Sequence, residues 1–267
     1  MQVVWQTISG RIVLEIFKHQ MISSIRSRIS NARDHFSDQA IKNYLERRHQ
    51  KGCGCKSCRR TELGEIADGE NLDQEIEGAS GNGLISDTFG DITKDYMSWP
   101  ANDSLTVAIF DHERDYNLVT TNEHSDSEEQ LIRETLSTVD DAIELDFDYS
   151  DTIIGSEIVV VSVDRYRPGG GGVSGQVVEG KNRWYVLWKD STPNSDRLID
   201  YDQNTIVHEI GHALGLSHPN ENPNNPNFNT VEHTVMSYND LNSEWGTVFT
   251  ENDMTALSQI WGAEASL

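Results

Sequence analysis

Thr205-Ile-Val-His208-Glu209-Ile-Gly-His212-Ala-Leu-Gly215-Leu-Ser-His218-Pro219 is an apolar stretch into which three histidines and one glutamate are set at fixed spacing. On a helix, positions i and i+4 share a face, so His208 and His212 converge on one point. Gly215 supplies a residue free to take the left-handed conformation that ends a helix, and the turn after it brings His218 round as a third nitrogen. Three imidazoles that leave one position open are the ligand set of a catalytic zinc. Glu209, beside the first ligand, is placed to reach a water at that open position and not the metal itself. The competing reading is a core helix with incidental histidines. It must bury three imidazoles and a carboxylate without partners, which is costly.

Downstream lies Thr234-Val-Met236-Ser237-Tyr238. The pattern His-Glu-x-x-His-x-x-Gly-x-x-His resembles the metzincin zinc metalloproteases. The second segment resembles their Met-turn, in the serralysin-type form where Met-Ser-Tyr follows the third histidine. A methionine alone would be read as core packing; the resemblance implies that Met236 forms an apolar floor beneath the ligands His208, His212 and His218. It implies for Tyr238 a hydroxyl that touches the zinc and hydrogen-bonds a developing oxyanion. The implied fold is α+β, zincin-like: a twisted mixed five-stranded sheet with three main helices, the zinc in the cleft below the edge strand. The implied function is a zinc metalloendopeptidase acting on protein or peptide substrates. A zinc-bound water would be the nucleophile and Glu209 the general base. The alternative is a non-catalytic zinc-binding or adhesion module on the same fold, against which the intact Glu209 and Tyr238 argue.

The pattern upstream suits that architecture. Ser104-Leu-Thr-Val-Ala-Ile-Phe110 alternates and reads as a strand. Ser125-Asp-Ser-Glu128 is a capping box that opens a helix to about Leu145. Ile153 to Val163 contains Ile158-Val-Val-Val161, suited to a buried strand. Four glycines, Gly169 to Gly172, form a loop. Trp184 to Lys189 reads as a strand and is the candidate edge that pairs with an extended substrate, since metzincins bind substrate by strand addition. An interior core strand is the competing reading. Helix follows from about Gln203, and Thr250-Glu-Asn-Asp253 caps a last helix that closes at Gly262.

Three regions follow from composition. Residues 1–62 carry 12 basic and 5 acidic side chains, residues 63–267 carry 9 and 39, and the chain as a whole stands at −23. We expect a basic N-terminal prosegment over 1–62, an acidic flexible linker over 63–94 and a catalytic domain over 95–267. Within the prosegment, residues 11–33 read either as a basic amphipathic helix or as a helix with a solvated basic face. The only cysteines, Cys53, Cys55 and Cys58, lie upstream of the domain. A thiolate is a good fourth ligand for zinc, so these three are candidate inhibitory ligands of a zymogen. Their surroundings do not match the matrixin switch motif, and a separate metal or redox role or an unbound tail competes.

The acidity argues against nucleic-acid partners, and no run of eighteen apolar residues is present to span a membrane. No secretory signal is recognisable, and the calcium-binding repeats usual in serralysins are absent before Leu267. The expectation is a secreted protein exported by another route. Between His124 and His208 there is no histidine, so a matrixin-type second zinc site is not expected. Asp164, Asp190, Asp196, Asp200 and Asp202 offer oxygen ligands for Ca2+, with solvated surface carboxylates as the competing reading. Nothing in the sequence fixes an oligomeric state.

Overall fold

A computed structural model describes residues 83–85, 104–115, 119–166, 174–180, 183–192, 195 and 197–265. The expected prosegment, Cys53, Cys55, Cys58, the four-glycine loop, Asp196 and all of the expected linker but Gly83–Ile85 lie outside these residues.

Strand β5, Ile158–Tyr166, is the centre of the sheet. Its uninterrupted branched run is wholly buried, as expected of a strand covered on both faces. Strand β1, Ser104–Phe110, pairs parallel with Ile158–Val161 along one edge of β5, and β7, Arg183–Lys189, pairs parallel along the other. Strand β4, Asp146–Tyr149, lies parallel outside β1, and β6, Gly175–Gly180, lies antiparallel outside β7. The main order is thus β4-β1-β5-β7-β6, a mixed sheet.

Two corrections follow. The described residues form seven strands in place of the expected five, because a short hairpin follows Phe110. Its arms are β2, Arg114–Asp115, and β3, Val119–Asn122, which runs antiparallel beside the outer half of β5. Thr121 Oγ1 donates to His112 O at 2.6 Å across its neck. Second, the edge strand is β6 and not β7. Residues Trp184 to Trp188 are all buried, and the strand is sandwiched between β5 and β6; its apolar run is that of an interior strand.

Three α-helices cover the sheet. Helix α1, Asp126–Asp140, starts with the expected capping box: Glu128 N donates to Ser125 Oγ and Ser125 N to Glu128 Oε2. It stops short of Leu145 because the next residues take other partners. Phe147 N donates to Asp140 Oδ1 at 3.0 Å, and Ile143 bridges to Ala263. Helix α2, Asp200–Ala213, is buried on every side from Asn204 onward. Helix α3, Glu251–Trp261, has the expected box between Thr250 and Asp253 and ends at Gly262, whose φ is 95°. The core gathers β1, β5 and β7 with the apolar residues of all three helices.

Candidate metal centre

A helix buried all round should carry no unpartnered polar groups. Helix α2 carries His208, Glu209 and His212, exposed by 4%, 6% and 8%, so the arrangement around them has to meet their needs. His208 Nδ1 donates to Val235 O at 2.8 Å, and His212 Nδ1 donates to Leu216 O at 2.7 Å. Each carbonyl fixes the tautomer with the proton on Nδ1, which leaves the Nε2 lone pair for a common centre. Gly215, at φ 103°, ends the helix and reverses the chain as expected. Leu216 O thereby turns back onto His212, and His218 enters from the loop.

The ligand atoms of His208, His212 and His218 lie within 4.8 Å of one another, the sole such grouping of His, Cys, Asp and Glu among the described residues. His212 Nε2 and His218 Nε2 stand 3.3 Å apart. Two nitrogens each about 2.0–2.1 Å from a tetrahedral zinc would stand about 3.3 Å apart. Three imidazoles with backbone carbonyls behind two of them suit Zn2+ in kind and spacing.

The remaining expected residues gather at the same place. The Tyr238 ring lies 5.5 Å from that of His208 and 5.0 Å from that of His218, and the side chain is 43% exposed. Met236 is fully buried, and a β-carbon on Gly211 would stand 2.7 Å from its Sδ. The sulfur therefore rests on α2 at Gly211, between His208 and His212 in the chain. Glu209 reaches the edge strand: a β-carbon on Gly175 would stand 2.5 Å from both its Cγ and its Oε1. The carboxylate thus lies against the first residue of β6.

Three supporting residues escape the motif. Asp253, fully buried, accepts from Thr234 Oγ1 at 2.5 Å, Val235 N at 3.1 Å and Thr250 N at 2.8 Å. Burial pushes its carboxyl above the usual range and these donors pull it back. Its link to Val235, whose carbonyl holds His208, joins α3 to the ligand shell. The capping pattern made Asp253 visible, but not this second task. Asn204 Nδ2 donates to Gly246 O at 2.7 Å and pins the stretch after the Met-turn to α2; no sequence signal marks it. Gly175 is likewise marked by nothing but its type.

Two of the acidic residues offered for calcium are buried and engaged by nearby donors. Asp202, fully buried, accepts from Ser191 N and Oγ at 3.2 and 2.7 Å. Asp190, 7% exposed, accepts from Thr192 N at 2.7 Å. These two are therefore not solvated surface carboxylates.

No protein-family model matches the chain. It is 32% identical to Serralysin A of Dickeya chrysanthemi over 110 residues, 37% of this chain and 22% of that protein. It is 38% identical to Metallopeptidase AprA of Pseudomonas marginalis over 66 residues, 21% of this chain and 14% of that one. The chain spans about a fifth or less of the length of these curated relatives. The solved structure of myroilysin superposes with a TM-score of 0.39 at 13% identity, over 62% of this chain and 96% of its own.

Proposed function

We infer from this kinship that the chain, which carries a serralysin-like metzincin domain, is a zinc-dependent metalloendopeptidase. The observation that carries the reading is the meeting of three imidazoles, two of them with tautomers set by backbone carbonyls, with Glu209 and Tyr238 beside them. His208, His212 and His218 would hold the ion. When bound, zinc supplies a Lewis acid that acidifies water and polarises a carbonyl.

The chain's own residues supply the rest. Glu209 takes the proton of the attacking water and returns it to the leaving amine. Its position against Gly175 sets the carboxylate under the edge strand, where an extended peptide adding to β6 would carry its scissile bond past it. Tyr238, half-exposed at the rim, donates to the oxyanion that develops on the substrate. Met236 keeps the floor of the imidazole cluster dry and apolar.

The N-terminal region enters this reading as a prosegment. A thiolate from Cys53, Cys55 or Cys58 suits the position the three histidines leave open, and a +7 segment is drawn by simple attraction to residues 63–267, which carry −30. Replacement of the three cysteines by serine then releases activity in the full chain. We place the protein outside the cell, acting on protein or peptide substrates.

The full chain, assayed as purified and after limited proteolysis, tests the reading. It is expected to carry one zinc and to cleave a peptide library, with cleavage lost to a chelator and restored by zinc. A zinc-loaded protein that leaves every peptide intact after proteolysis would be a binding module; chelator-insensitive cleavage would refute the mechanism.

A further inference from the structure

We propose that Gly83–Ile85, a three-residue segment preceding the domain as the sequence delimits it, is a strap that positions the third ligand, His218. The inference rests on the zinc reading above and deepens it.

His208 and His212 stand on a helix, which fixes their backbones. His218 does not. It follows the left-handed Gly215 and caps a single 3-10 turn, Pro219–Glu221, outside α2. Its two flanks are instead tied to a segment far away in the chain. Ser217 N donates to Leu84 O at 2.7 Å, and Ser217 Oγ donates to the same oxygen at 3.0 Å. On the other side Asn220 N donates to Gly83 O at 3.0 Å. Asn220 turns to φ 52° and Glu221 to φ 60°, left-handed conformations that residues other than glycine rarely take. Backbone donors buried in a loop need such acceptors, and Ser217 is 4% exposed and His218 3%.

The side chains are fitted to the same contact. Leu84 is fully buried and belongs to the core cluster that includes Leu214, Leu216, Val235 and Met236. Those residues belong to the segments that hold the imidazoles. Gly83 has φ 73°, a conformation glycine takes most readily, and a β-carbon there would stand 2.0 Å from Asn220 Oδ1 and force that side chain aside. A linker with nothing to bury would contain neither feature. One consequence concerns processing: a cut that leaves the site whole falls ahead of Gly83, and a fragment starting at residue 90 lacks the strap.

The test uses the full chain and compares Leu84→Ala with Leu136→Ala, a fully buried leucine of α1 in the same core. Zinc affinity is read by competition with a chromogenic chelator, and melting temperature beside it. Both variants should melt lower, on the order of 10 °C. Only Leu84→Ala should also bind zinc more weakly, by about tenfold or more. Gly83→Ala, which keeps the leucine but collides with Asn220, should weaken zinc in the same direction and serves if Leu84→Ala does not fold. Zinc affinity unchanged in the strap variants, or lowered equally by Leu136→Ala, overturns the strap. A parent chain that binds no zinc overturns instead the reading on which it rests.

Discussion

At Gly175 a β-carbon would stand 2.5 Å from Glu209 Oε1, so the residue facing the proposed base is tightly constrained. Gly175→Ala should displace the carboxylate and lower peptide cleavage by roughly 10- to 100-fold, while zinc content, measured by metal analysis, stays at the parent level. Tyr238 gives a different signature. Tyr238→Phe removes one donor without disturbing the buried shell and should reduce kcat by about 10²-fold with KM little changed; steady-state kinetics on one peptide separates the two. That His208, Glu209, His212, His218, Met236 and Tyr238 lie close together was legible in the sequence, because a helical period and a short turn set their spacing. Gly175, Asn204 and the second task of Asp253 were not. Their partners lie elsewhere in the chain, and nothing local distinguishes such a glycine or asparagine from any other.

Helix ends carry the next set of consequences. Burial, the largest influence, raises the Glu128 carboxyl to about 7, with Asp190 and Asp202 adding to the shift. Its unfolded value is lower, so the folded state holds the proton more tightly and loses stability as pH rises through that interval. Glu128→Gln keeps an acceptor for Ser125 N and removes the titration. Its melting temperature should therefore gain on the parent's as pH is raised from 5 to 8. His124 has the opposite sign: burial lowers it to about 4, so its contribution is lost as pH falls below the unfolded value. At the other capping box, Asp253→Asn puts an amide among the donors of Thr234, Val235 and Thr250. It should cost on the order of 3 kcal/mol in chemical denaturation. Both boxes were legible from four residues each. The edge strand was not, since Gly175–Gly180 holds only two apolar residues while Trp184–Trp188 has the stronger strand pattern; the stronger pattern belongs to the better-buried strand.

Among the described residues, the proposed metal centre would join segments from α2, the turn around Met236 and Gly83–Ile85 ahead of β1. A ligand that binds only the folded state stabilises it by mass action. Chelation should therefore lower the melting temperature, on the order of 10 °C where free zinc stood about a thousandfold above its dissociation constant. The triple variant His208→Ala, His212→Ala, His218→Ala should show no chelator response in the same scan. Charge was legible at this scale as a split between a basic and an acidic region. The domain limit was less so, because Leu84 sits alone beside a glycine-rich acidic stretch and its burial depends on a loop 133 residues away.

The proposed mechanism needs Glu209 to act on a substrate beside three zinc-holding imidazoles, and Glu209→Gln assayed at matched zinc occupancy tests it most directly. The variant should bind zinc as the parent does and cleave the same peptide roughly 10²- to 10⁴-fold more slowly. Cleavage at the parent rate with zinc fully bound would contradict it.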